Sequence, residues 1–64
     1  MSGRARQVYF EFLPVGPQIK VSAIDSLTKV EVCIIAPKAT MRKDMERLAL
    51  RKLQRALERK DAKT

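Results

Sequence analysis

Three short segments of alternating or β-branched apolar residues are followed by one segment with helical spacing. The first three lie near residues 7–13, 18–25 and 29–36, and turn-forming residues separate them, including Gly16 between two prolines. After Pro37, apolar residues recur at steps of three and four up to about residue 60. The pattern predicts an α+β fold, a three-stranded antiparallel meander followed by one long C-terminal helix on one sheet face (βββα).

The two predicted hairpins support one another in register. A loop from Leu13 to Gln18 pairs Phe12 with Ile19, and a loop from Asp25 to Thr28 pairs Val21 with Val32. Both place the same middle-strand residues on the apolar face, which then contains Val8, Phe10, Phe12, Ile19, Val21, Ala23, Val30, Val32 and Ile34. On the opposite face, Glu11 is expected across from Lys20, and Lys20 also beside Cys33.

The predicted helix covers residues 40–60, with Thr40 as its N-cap and Asp44 favourably placed near its N-terminus. Its core-facing stripe is expected to contain Met41, Met45, Leu48, Ala49, Leu53, Ala56 and Leu57. We expect a single domain over residues 7–60, a disordered basic arm over 1–6 and a disordered tail over 61–64.

Composition limits the possible functions. The 64 residues carry a net charge of +7, one cysteine and no histidine. Histidine is the commonest acid–base catalyst, and zinc sites are built from cysteine and histidine. With two glycines, the chain also has no glycine-rich loop that could bind phosphate. We therefore expect no enzyme, no cofactor, no metal and no small-molecule substrate. Asp25, Ser26 and Thr28 are interpreted as turn residues that hydrogen-bond to nearby backbone.

The excess of positive charge favours acidic partners, either nucleic acid or an acidic protein. Two basic groups are candidate contacts with such an anion. One is a ridge along the outer helix face, and the other surrounds the helix N-terminus; together they comprise Lys38, Arg42, Lys43, Arg47, Arg51 and Arg55. A solvated helix face is the competing interpretation for both groups.

The third strand is an edge strand in a simple meander, and it is apolar over Val32, Cys33, Ile34 and Ile35. A domain this small with no disulfide has few other ways to supplement its core. We therefore expect a homodimer paired along this edge. Cover by the N-terminal arm or a different strand order is the alternative. The single cysteine and the lack of an apolar export or membrane segment predict a cytoplasmic location away from membranes.

Four runs resemble a family of small uncharacterised bacterial proteins, a domain of unknown function: residues 8–12, 21–25, 31–32 and 48–53. This resemblance covers about Val8 to Lys60 and implies no functional residues. The predicted architecture is also similar to the C-terminal part of double-stranded-RNA-binding domains, which place lysines at the helix start against phosphates. Lys38, Arg42 and Lys43 lie near the equivalent place, although the preceding helix and the lysine-rich motif of that family are absent.

The sequence therefore predicts a non-catalytic structural or protein-interaction module that self-associates. The alternative is a nucleic-acid-binding module that contacts the phosphate backbone through its basic helix face.

Overall fold

A computed structural model of the chain describes residues 6–62. Three strands, β1 (Val8–Val15), β2 (Gln18–Asp25) and β3 (Glu31–Pro37), form an antiparallel sheet in the order β1-β2-β3. One helix, α1 (Arg42–Ala62), follows. The predicted βββα fold is therefore confirmed. Apart from Arg6 and residues 61–62, the predicted terminal arm and tail lie outside the described residues.

The first hairpin is tighter than predicted. Val15 pairs with Gln18, so the loop contains only Gly16 and Pro17. Gly16 has a φ of +60°, whereas proline fixes φ near −65°. A positive φ at the first central residue alone is the signature of a type II′ turn, whose twist matches that of the flanking strands.

This turn makes the predicted register of β1 wrong by two residues. Phe12 pairs with Val21, and Phe10 pairs with Ala23. Glu11 consequently lies opposite Ser22 rather than Lys20. The predicted face assignments survive because strand side chains alternate with a period of two.

The second hairpin also has a register two residues from the predicted one, with Ala23 opposite Val32 and Val21 opposite Ile34. Its loop is longer because Lys29 has a φ of +65° and donates its N–H to the carbonyl oxygen of Asp25 at 2.9 Å. Val30 therefore precedes β3 instead of belonging to it. Cys33 lies opposite Ser22, so its predicted pairing with Lys20 is wrong.

The helix packs over β2 and β3 rather than over β1. The fully buried core joins the middle of the sheet to one helical stripe, and it consists of Val21, Ala23, Ala36, Met45, Ala49 and Leu53. Phe10 and Phe12 of β1 are only half-buried at the border of this core.

Two of the predicted core-facing residues are exposed. Met41 is 68% exposed because the helix begins at Arg42, and Leu48 is 47% exposed on the flank of the helix. The prediction of Thr40 as N-cap is also wrong by one residue, since the carbonyl oxygen of Met41 accepts the first helical N–H bond, from Met45 at 3.0 Å.

Candidate functional site

The most distinctive surface feature is an open groove along one flank of α1, with a volume of about 460 Å³. We call it the basic groove, and its lining residues are Leu48, Arg51, Lys52, Arg55 and Arg59. Their spacing of three, four, seven and eleven residues from Leu48 places all five on one side of a helix. The groove therefore has one exposed aliphatic residue among four cationic side chains.

The helix carboxylates near its N-terminus are paired with other arginines. Glu46 lies 3.4 Å from Arg42, and Asp44 lies 4.0 Å from Arg47. Among the side chains of residues 6–59, no carboxylate forms an ion pair with any of the four groove cations. The groove thus concentrates uncompensated positive charge, and Arg51, Arg55 and Arg59 repel one another at steps of four residues.

Lys52 connects this groove to the sheet. Its Nζ donates a hydrogen bond to the carbonyl oxygen of Cys33 at 2.9 Å. The groove consequently runs beside the outer edge of β3, and its wall is fixed to that strand.

The six residues predicted to contact an anion do not lie together in the structure. Arg51 and Arg55 line the basic groove, whereas Arg47 lies outside it beside Asp44. Arg42 is paired with Glu46 and also stacks over the Phe12 ring, 4.5 Å from its centroid. The remaining two, Lys38 and Lys43, are exposed outside the groove.

Sequence reasoning missed three groove residues, Leu48, Lys52 and Arg59. Continuing the four-residue series of arginines beyond Arg55 leads directly to Arg59, so that signal was present in the sequence. Leu48 was assigned to the core because its spacing fits either border of the apolar stripe. The position of Lys52 beside β3 depends on where the helix crosses the sheet, which spacing alone does not determine.

A second polar cluster surrounds the Asp25 carboxylate, which is fully buried. Its Oδ2 accepts hydrogen bonds from the backbone N–H and the hydroxyl of Thr28, at 2.9 and 2.7 Å. Arg6 Nε lies 2.9 Å from Oδ1, an ion pair without the alignment of a hydrogen bond. The predicted turn interpretation of Asp25 and Thr28 agrees with these bonds, and the hydroxyl of Ser26 accepts the Gln7 N–H at 3.0 Å.

Opposing effects act on the pKa of Asp25. Desolvation by burial raises it, whereas the Thr28 hydrogen bonds and the charge of Arg6 lower it by more in sum, so the pKa lies below its ordinary value of 3.8. The carboxylate is therefore ionised at neutral pH, and its hydrogen bonds to Thr28 stabilise the second hairpin loop. This cluster is structural rather than a site open to a ligand.

A protein-family model, described as a domain of unknown function (DUF6898), matches residues 5–60. The chain belongs to this family. No curated protein and no solved structure matches the chain. Membership of the DUF6898 family assigns no activity to the chain.

The described side chains, those of residues 6–59, contain no group of three or more potential metal ligands. The helix in this range is not apolar enough to cross a membrane. The basic groove is the surface of this DUF6898 protein that is suited to bind a charged partner.

Proposed function

We propose that this protein is a non-catalytic module that binds nucleic acid by contacting the phosphate backbone with its basic groove. One observation carries the proposal: four cationic side chains line a single groove and form no ion pair with a carboxylate of residues 6–59. Arginine and lysine bind phosphate through charge-assisted hydrogen bonds.

The arrangement of the arginines favours a linear polyanion. Arg51, Arg55 and Arg59 follow one another at steps of about 6 Å along the helix axis, the rise of four residues. Their mutual repulsion weakens the helix by a few tenths of a kcal/mol per pair in the free protein. A row of phosphates removes that repulsion along its length, whereas a single carboxylate does so at one point only.

The aromatic residues favour contact with the backbone rather than with the bases. Base stacking requires exposed aromatic rings near the cationic surface. Tyr9 is the one large exposed aromatic side chain in residues 6–62, and it lies on the sheet face away from the helix. We therefore expect similar affinity for duplexes of different sequence.

The basic residues at the helix start are a weaker candidate for the same contact. They lie near the place where double-stranded-RNA-binding domains, which the βββα order resembles, hold phosphate-binding lysines, but the lysine-rich motif of that family is absent here. In addition, Arg42 is already engaged with Glu46 and the Phe12 ring. We accordingly place the contact in the groove and use the helix start as the control.

The experiment compares two triple variants with equal loss of charge. One replaces Arg51, Arg55 and Arg59 with Gln, and the control replaces Lys38, Lys43 and Arg47 with Gln. Binding to labelled DNA and RNA duplexes is measured by fluorescence polarisation at about 50 mM salt, where such contacts are strongest.

The groove variant is expected to lose most of its affinity for every duplex, and the control much less. Equal losses would show that net charge alone attracts the duplex. A larger loss in the control would place the contact at the helix start and contradict the groove.

A further inference from the structure

The sheet has two edge strands, and they differ in how well they are protected. Both carry a proline, Pro14 in β1 and Pro37 in β3. The edge of β3 has further protection, because Lys52 occupies the Cys33 carbonyl oxygen and Glu31 places a charge near one end. Beside it lies the basic groove, which repels a second copy of itself.

Within the described part of the chain, the edge of β1 has less cover than that of β3. The helix lies over β2 and β3, so Val8, Phe10 and Phe12 remain half-buried on the inner face. On the outer face, three apolar side chains of the same strand are each more than half exposed: Tyr9, Leu13 and Val15. Apolar surface therefore lies on both faces of this edge.

The hydrogen-bond pattern shows which backbone groups of β1 point outward. Ser26 donates its N–H to the carbonyl oxygen of Gln7 at 2.9 Å, which makes this pair a hydrogen-bonded one. Hydrogen-bonded and non-hydrogen-bonded pairs alternate along an antiparallel ladder. The N–H and C=O groups of Val8, Phe10 and Phe12 therefore point away from β2.

We propose that two copies of this chain pair antiparallel through β1, with the two-fold axis at Phe10. In this register Phe10 faces Phe10 of the second copy, and Val8 faces Phe12 of the second copy. Every outward N–H of Val8, Phe10 and Phe12 then finds a carbonyl oxygen. Pro14, which has no N–H, falls at the end of the paired segment.

Other registers fit less well. Moving the axis to Phe12 places Phe10 opposite Pro14 of the second copy and loses a hydrogen bond. Moving it to Glu11 places two glutamates directly opposite each other, which is unfavourable. The register centred on Phe10 avoids both problems. It places Tyr9 opposite Glu11 of the second copy.

The charge distribution also favours a second copy at this edge. The groove cations lie on the β3 side of the molecule, as the Lys52 bond to Cys33 shows. Pairing through β1 therefore places the two basic grooves at opposite ends of a six-stranded sheet. Each groove remains open in the dimer.

Cys33, which is exposed, supplies a direct distance test. A spin label is attached to it, and the distance between labels is measured at tens of micromolar protein by pulsed dipolar spectroscopy. Five interstrand gaps separate the two cysteines in the proposed dimer, which gives roughly 25 Å between their backbones. Pairing through β3 would bring them within about 10 Å and allow an intermolecular disulfide.

Two substitutions at one exposed position test the register. Tyr9→Glu places like charges opposite each other twice across the two-fold axis, whereas Tyr9→Lys places opposite charges there. Sedimentation equilibrium is expected to show a dimer dissociation constant about tenfold higher for Tyr9→Glu than for Tyr9→Lys. Ile35→Lys on the outer face of β3 is expected to leave the dimer intact.

Three results would overturn the proposal: a monomer mass for the unmodified chain, a short distance between Cys33 labels, or dissociation by Ile35→Lys with no difference between the two Tyr9 variants. The second and third would identify the β3 edge of Val32 to Ile35 as the interface instead.

Discussion

Lys52 Nζ and the carbonyl oxygen of Cys33 are joined by a hydrogen bond of 2.9 Å between the helix and the edge of the sheet. The bond holds one wall of the basic groove against β3 and occupies one acceptor of that edge. A single lysine therefore contributes both to the groove and to the protection of an edge strand.

Lys52→Met is expected to lower the free energy of unfolding by about 1 kcal/mol, because it removes a charge-assisted hydrogen bond while keeping an apolar stem of similar length. Lys43→Met is the control, since Lys43 is exposed on the same helix. Urea unfolding at neutral pH measures both. Equal stabilities for the two variants would show that the bond contributes nothing.

Leu53→Ala should destabilise the protein by about 2–5 kcal/mol, because the side chain is fully buried and its removal leaves a cavity. That is a large part of the stability of a small domain. Leu48→Ala, five residues earlier and 47% exposed, is expected to cost less than about 1 kcal/mol. Thermal unfolding distinguishes the two variants. Similar losses of stability would show that the buried face of the helix has been assigned wrongly.

The fold and its faces were predictable from the sequence, but the registers were not. Both predicted hairpins were wrong by two residues, and a shift of two keeps every side chain on its face. The tightness of the Gly16–Pro17 turn and the left-handed conformation of Lys29 determined the actual pairs, and neither is specified by alternation. The groove was predictable in part, since its arginines follow helical spacing, whereas its position beside β3 depends on tertiary packing.

Gly16→Ala is expected to destabilise the protein by about 1 kcal/mol, because an L-residue is strained at a φ of +60°. A Cβ at this position would meet no other atom within 4 Å, so the effect isolates backbone strain. Chemical synthesis with D-alanine at position 16 is the matched control, because a D-residue favours positive φ. If both alanines destabilise the protein equally, the assigned turn type is wrong.

The Asp25 carboxylate predicts a specific pH dependence. Because its pKa in the folded protein is lowered from 3.8, its contribution to stability is present above that value and is lost as the pH falls through the folded-state pKa. Asp25→Asn should therefore be less stable than the parent at pH 7, and this difference should shrink as the pH falls below about 4. Urea unfolding from pH 7 to pH 2 measures it, and a difference independent of pH would contradict an ionised Asp25.

The salt dependence of duplex binding tests the central proposal most directly. Four groove cations on phosphates give a slope of log affinity against log salt of about −3.6, which is roughly a hundredfold loss between 50 and 200 mM salt. The variant with Arg51, Arg55 and Arg59 replaced by Gln keeps Lys52 alone and should show a slope of about −0.9. Absence of binding at about 50 mM salt, or the same slope for both proteins, would contradict nucleic-acid binding by the basic groove.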